Sequence, residues 1–163
     1  MNSDYNEKVK EIKKLATNIR INTLKSLTNL GFGHYGGSLS IVETLAVLYG
    51  GIMNIDPKNP HWEDRDYFVL SKGHAGPALY ATLALKEFFP LEEIYTLNKN
   101  GTNLPSHPDR LRTKGVDATT GSLGQGISIA GGIAKALQID KKSNRVFCII
   151  GDGEINEGQC WEA

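Results

Sequence analysis

The run Ile149-Ile150-Gly151-Asp152-Gly153-Glu154 places a carboxylate in a glycine turn directly after apolar, β-branched residues. In open parallel sheets, ligands bind beyond the carboxyl ends of strands. An aspartate at such a point is a hard oxygen donor, suited to a magnesium ion that bridges protein carboxylate to phosphate. Gly151 and Gly153 on either side let backbone amides approach phosphate oxygens. A plain Asp-Gly turn has the same letters, so this motif by itself weighs evenly between ligand site and turn. A second stretch, Thr119-Thr120-Gly121-Ser122-Leu123-Gly124-Gln125-Gly126, combines hydroxyls and glycines and leads into a helix. Helix amino termini favour anions, although an ordinary helix start accounts for this stretch better when it is taken singly. Histidines are the third signal. His34, His74 and His107 each sit in a glycine or proline loop setting, whereas His61 lies in a plain turn and receives no role. Imidazole exchanges protons with hydroxyls and carbonyls near neutral pH. Any one of the three alone is an ordinary surface or structural histidine, and their spacing has no local zinc pattern.

These residues need elements to position them. Val9, Ile12, Ala16, Ile19, Thr23, Leu27 and Leu30 form one stripe at helical spacing, so residues 5–30 read as a helix stopped by Gly31 and Gly33. Residues 31–38 read as a glycine-rich loop. Ser40-Ile41-Val42-Glu43 has the pattern of a capping box, opening a buried helix that runs to Met53. Tyr67-Phe68-Val69-Leu70 reads as a buried strand, turning through Ser71-Lys72-Gly73-His74 into a helix to about Phe89. Residues 91–97 read as a shorter helix. Residues 98–123 form a long irregular stretch, of a length that is usually functional or disordered. Residues 124–139 form a helix whose Gly131-Gly132 pair permits close packing on a sheet or another helix. Residues 145–150 form a strand, and a further helix begins near Glu157. The alternation predicts an α/β fold with a parallel sheet flanked by helices. Two strands do not make a sheet buried on both faces, so the expectation is an incomplete domain or a sheet completed by another polypeptide.

Composition narrows the function classes. With 163 residues, the chain is one domain or part of one. Lys plus Arg and Asp plus Glu are 18 each, so there is no basic field for nucleic acid. At 40% hydrophobic and 22% charged, the chain reads as globular. No apolar stretch approaches the ~20 residues of a membrane span. The charged first twenty residues do not read as an export signal, which makes the cytoplasm the expected location. Cys148 and Cys160 are too few for a disulfide framework or a four-ligand zinc site, and Cys148 reads as a small buried hydrophobe. A nucleotide-binding reading of Gly124-Gln125-Gly126 is poor, because no Walker lysine follows and the dinucleotide fingerprint is absent.

Taken together and in order, GHYGGSLS, DRDYFVLSKGHAGPALY, SHPD, TTGSLGQGIS and GDGEINEGQCWEA resemble the amino-terminal, diphosphate-binding part of transketolase. The resemblance covers residues 21–163 and is nearest to stand-alone amino-terminal subunits of split transketolases. Sugar-phosphate synthases that use thiamine share loops like GHYGGSLS, but the SKGHA and SHPD segments favour transketolase. The resemblance implies a thiamine-diphosphate-binding fold and the cofactor thiamine diphosphate, with Mg2+ or Ca2+. It implies that Asp152 ligates the metal, with Gly151 and Gly153 beside the diphosphate. Gly121, Ser122 and Leu123 would line the cofactor through their backbone, and His74 would lie near the diphosphate and the reactive carbon. His34 and His107 would contact sugar hydroxyl and carbonyl groups. Glu157 would match an acid at a dimer interface. The implied reaction moves a two-carbon ketol unit from a ketose to an aldose, both typically sugar phosphates.

Two family features lie outside residues 1–163: a second metal ligand, an Asn, and the glutamate that activates the pyrimidine. The expectation is therefore that residues 1–163 are the amino-terminal part of a diphosphate-binding domain, truncated at the carboxyl end. A carboxyl-terminal pyrimidine-binding subunit or domain would complete the site within a homo- or hetero-oligomer. The alternative is a non-catalytic truncated subunit or assembly module that does not hold cofactor alone. The 163-residue chain by itself is predicted to show no ketol transfer in a coupled assay; turnover without any partner contradicts this reading.

Overall fold

A computed structural model describes residues 3–163, so Met1 and Asn2, the start of the stretch weighed above as an export signal, lie outside it. Helix α1 spans Ser3–Leu30. Its stripe is buried through Ile19, Thr23 and Leu27, and the same face buries Asn22 and Ser26. Ser26 is accommodated because its hydroxyl donates to the Ile94 carbonyl at 2.7 Å. Gly33 follows the helix at φ +139, and a Cβ there would stand 2.5 Å from Leu27 Cδ2. Glycine is thus required by both conformation and space.

The segment predicted as a loop over residues 31–38 instead closes into a short helix, α2 (Tyr35–Leu39), with His34 at its amino-terminal cap. The capping box is also corrected. Ile41 caps α3 (Val42–Val47), and no side chain bonds its free amides. Ser40 is drawn away as the carboxyl-terminal cap of α2, where its hydroxyl donates to Gly37 O at 3.0 Å. Glu43 pairs with Arg20 of α1 rather than reaching back. The buried run then continues as a wider turn, Leu48–Ile52.

Strand β1 is Tyr67–Leu70, buried at three of its four positions. A single 3-10 turn, Gly73–Ala75, leads into α4 (Gly76–Leu85). Helix α4 ends four residues before the expected Phe89, where Glu87 takes a positive φ of 66. Leu91–Thr96 is a 3-10 helix, and residues 98–123 are irregular, as read. Helix α5 is Gln125–Ile139 and β2 is Val146–Ile149, shorter than the 145–150 span expected. A further 3-10 turn, Glu154–Asn156, precedes α6 (Gly158–Glu162). The two strands pair in parallel, with Tyr67 opposite Val146 and Leu70 opposite Ile149. The free edge of β1 is not bare. Asp117 accepts the Phe68 amide at 2.8 Å, and Thr120 donates to the Leu70 carbonyl at 2.6 Å. The long irregular stretch thereby shields a strand edge with side-chain hydrogen bonds. Arg65 holds Asp117 from the other side at 2.7 Å.

The core lies between α1, α3, α4 and the α1-facing side of the sheet, with Ile19, Leu45, Tyr80 and Leu83 fully buried. Each such side chain contributes roughly 1.5–3 kcal/mol. The opposite side is thin: Val69, Ala118 and Ala130 form a small second cluster, against which Cys148 packs only half-buried. Burial still raises the Cys148 thiol to about 11, so it remains an unreactive thiol near neutral pH. In α5 only Gly126 and Ala130 are buried. The close packing expected of Gly131-Gly132 is instead made by Gly126, where a Cβ would stand 2.5 Å from Ser71 Cα. Nothing lies within 4 Å of the Cβ position of Gly131 or Gly132.

These glycines predict opposite mutational signs. Gly131→Ala gains helix propensity without a clash and is expected to stabilise the chain by about 0.5–1 kcal/mol. Gly126→Ala forces α5 off the strand end and is expected to cost about 1–3 kcal/mol. Denaturant unfolding of the two variants checks both signs.

Candidate functional site

Parallel pairing brings the carboxyl ends of β1 and β2 to the same edge of the sheet. The turn after β1 carries Lys72 and His74; the turn after β2 carries Asp152. Helix α2 packs against the first of these turns, because Gly37 lies against the His74 ring: a Cβ on Gly37 would stand 2.7 Å from His74 Cδ2. Lys72 clamps this contact. Its ammonium donates to Gly37 O at 3.0 Å and to Ser40 Oγ at 2.8 Å. The loop carrying His107 is tied to α4 by the Tyr80 hydroxyl, which donates to Pro105 O at 2.8 Å. Burial raises the Tyr80 phenol well above its ordinary value, so it stays a donor.

Three separate loops thus deliver three imidazoles to one place. The His34 and His74 ring centroids are 5.2 Å apart, and those of His34 and His107 are 6.4 Å apart. They border a small cavity of about 110 Å3 whose other walls are mostly apolar, from Leu27, Leu30, Phe32 and Pro77, with Ser106 also lining it. His74 is shared with a larger, open cavity of about 410 Å3. Gly36, Gly37, Lys72, Leu123 and the Gly151-Asp152-Gly153 turn line that second cavity.

Charge at the shared wall is tuned. Burial lowers the Lys72 ammonium below its ordinary value, although Asp152 and Glu154 oppose the shift. Burial also lowers His74, and the neighbouring His34, Lys72 and His107 push it further down. His74 is therefore neutral at neutral pH, a proton acceptor beside a half-masked ammonium. Groups perturbed by burial and by specific neighbours in a cleft mark functional sites.

Not every expected residue joins the cavities. Leu123, Gly151, Asp152 and Gly153 line the larger one. Gly121 instead backs His107, with its Cβ position 3.3 Å from the ring, and Ser122 is exposed. Glu157 is exposed at the cap of α6 and lies beside Gly124, whose Cβ position is 3.3 Å from Glu157 Cβ. One expectation is corrected. The amide of Gly151, read as approaching phosphate, instead donates to the buried Glu154 carboxylate at 2.8 Å, which also takes the Gly124 amide at 2.9 Å. Lys72 and Glu154 were absent from the sequence-derived set of site residues. A lysine in a strand-to-helix turn, and an acid immediately after Gly-Asp-Gly, were the available signals.

The donor set fits a diphosphate held through a divalent cation. The larger cavity offers a cationic side chain, an imidazole, one exposed carboxylate and several glycine backbones that leave room for close approach. Among the described residues, no cluster of three or more His, Cys, Asp or Glu could hold a metal by itself. A cation here would take Asp152 and complete its shell with phosphate oxygens and water, the usual habit of magnesium.

Comparison with known proteins points the same way. Residues 11–163 match the family described as transketolase, thiamine diphosphate binding domain. The chain is 59% identical over 153 residues to the 6-deoxy-6-sulfo-D-fructose transketolase subunit SqwG of Clostridium sp. (strain MSTE9), covering 94% of this chain and 56% of that protein. It is 42% identical over 161 residues to the transketolase of Pongo abelii, covering 96% of this chain and 25% of that one. The structure of transketolase from Leishmania mexicana superposes with a TM-score of 0.86 at 33% identity, over 93% of this chain and 24% of that one. The chain thus spans about half of the first relative and about a quarter of the others.

The His74 shift has a signed consequence. The folded chain binds this proton less readily than the unfolded chain, whose imidazole titrates near 6.5. His74 therefore subtracts stability as pH falls below that value and has no such effect above it. His74→Gln is expected to flatten the fall in melting temperature between about pH 7 and pH 5. Thermal melts across that window check it; parallel profiles for the two proteins contradict it.

Proposed function

The chain belongs to the transketolase family and carries its thiamine diphosphate binding domain, and from that premise we propose that it supplies part of the diphosphate and metal site, and the sugar-facing histidines, of a two-carbon ketol transferase. The donor is a ketose or its phosphate, and the acceptor an aldose or its phosphate. The observation that carries the reading is the convergence at His74, one wall of which faces two further imidazoles and the other the Asp152 turn.

The roles follow from position. Asp152 offers a hard oxygen to Mg2+ or Ca2+. Lys72 complements diphosphate charge, and Gly36, Gly37 and Gly153 leave room for it. Leu123 supplies an apolar wall, and Gly121 and Ser122 shape the loop behind it. When bound, thiamine diphosphate supplies the electron sink that breaking a carbon–carbon bond beside a carbonyl requires. The protein's part is to orient the sugar and exchange protons. His34 and His107 are placed to hold and move protons at sugar hydroxyl and carbonyl oxygens, and neutral His74 to accept one. The half-apolar setting strengthens each of these hydrogen bonds.

The exposed Glu157 and the sparsely covered α5 support a partner surface on this side. A relative named as a subunit supports a carboxyl-terminal pyrimidine-binding subunit or domain as that partner, in an oligomer. None of the described helices is long and apolar enough to cross a membrane; a cytoplasmic location is part of the proposal.

Calorimetric titration of thiamine diphosphate with Mg2+, with and without a candidate carboxyl-terminal subunit, tests the reading. Asp152→Asn is expected to weaken metal-dependent binding by about 10–100-fold. His107→Ala in the assembled enzyme is expected to lower kcat/KM by roughly 100-fold while cofactor affinity is retained. Binding that is indifferent to metal and to residue 152 contradicts the assignment.

A further inference from the structure

Glu154 is 3% exposed, yet it carries a carboxylate. Its two oxygens meet three donors from three different elements. Oε1 accepts the Ser71 hydroxyl at 2.5 Å and the Gly124 amide at 2.9 Å, while Oε2 accepts the Gly151 amide at 2.8 Å. Ser71 directly follows β1, Gly124 caps α5 and Gly151 opens the turn that bears Asp152. A buried carboxylate is costly without such donors, and removing it leaves two backbone amides unpaired. The backbone around it is equally tied. Ile155 N donates to Gly151 O at 3.1 Å, and Glu157 N donates to Glu154 O at 3.0 Å. Among the described residues, no other side chain hydrogen-bonds to all three.

Building on the functional reading above, we propose that Glu154 is a positioning residue for the metal site: its carboxylate holds the Gly151-Asp152-Gly153 turn and the α5 amino terminus in one fixed arrangement, and this fixes where Asp152 presents its oxygens. Glu154 has no direct contact with the cation in this scheme. It acts as outer partners of a metal site do, by fixing the geometry of the residue that ligates. Its charge is part of the role. A neutral amide of the same size turns an NH2 group toward N–H or O–H donors, so Glu154→Gln keeps the volume but loses at least one bond. The side chain also faces Lys72, whose ammonium feels both Glu154 and Asp152.

The test uses the full chain assembled with a carboxyl-terminal transketolase subunit, titrated with Mg2+ at fixed thiamine diphosphate and followed by calorimetry. Glu154→Gln is expected to raise the Mg2+ concentration at half-saturation by about 10–100-fold. Excess Mg2+ is expected to restore full cofactor binding. Cys160→Ala serves as the stability control, since its thiol donates to the Glu154 carbonyl at 3.2 Å and plays no part in holding the carboxylate. That variant is expected to melt earlier with its Mg2+ midpoint within about twofold of wild type. Amide chemical shifts of Gly124 and Gly151 give a readout without any ligand, and both are expected to move in Glu154→Gln. A midpoint unchanged in Glu154→Gln, or one that shifts equally in Cys160→Ala, overturns the positioning role. Failure of the wild-type assembly to bind thiamine diphosphate with Mg2+ at all overturns the functional reading instead, and this inference with it.

Discussion

Parallel pairing of β1 with β2 is the constraint from which the site follows. The register sets Leu70 beside Ile149, so the chain leaves both strands at the same level and in the same direction. The two turns that follow are thereby neighbours, although 80 residues of sequence separate Lys72 from Asp152. No local motif produces that proximity. It depends on β1 staying in place, which is why its free edge is held by Asp117 and Thr120. Burial raises the Asp117 carboxyl, while the Phe68 amide and the Arg65 guanidinium oppose the shift. The anchors within the irregular stretch therefore support the strand whose carboxyl end carries Lys72 and His74.

Around this edge the fold gathers positive and neutral donors more densely than acids. Lys72 is held by a carbonyl and a hydroxyl rather than by a tight ion pair. The His34 ring lies 5.2 Å from that of His74 and 6.4 Å from that of His107, and burial together with these neighbours lowers His74. An arriving polyanion complements the Lys72 ammonium, so the site is suited to an anionic ligand before any ligand is considered in detail. Asp152 stands at the other wall, and a cation between it and a diphosphate reconciles the two charges. Glu154 is kept out of that exchange by burial and by its three donors, which makes it part of the frame.

Sequence patterns revealed the elements that local physics governs. The four residues of β1 were read correctly because an aromatic, β-branched run between turns has few alternatives. The α1 stripe from Val9 to Leu30 was as clear, over about six turns of helical period. Three histidines at loop turns and one aspartate after a strand were visible as chemistry, but only the resemblance of five ordered segments joined them into one site. What escaped were features decided by tertiary contact. Ser40 has the letters of a helix cap, yet a lysine 32 residues away claims its hydroxyl. Gly131-Gly132 reads as a packing pair, while Gly126 makes the close approach because it faces Ser71. Glu154 looked like the tail of a motif, and its importance rests on donors at residues 71 and 124 that no spacing rule connects.

The claim at the centre is that the Lys72–His74 turn and the Asp152 turn form one receptor for a metal-bound diphosphate. Backbone amide chemical shifts of isotope-labelled chain, assembled with a carboxyl-terminal subunit and titrated with thiamine diphosphate and Mg2+, address it most directly. The account predicts saturable shifts confined to residues 36–40, 72–74, 121–124 and 151–154, all with one midpoint. Shifts concentrated elsewhere, or separate midpoints for the two turns, contradict it.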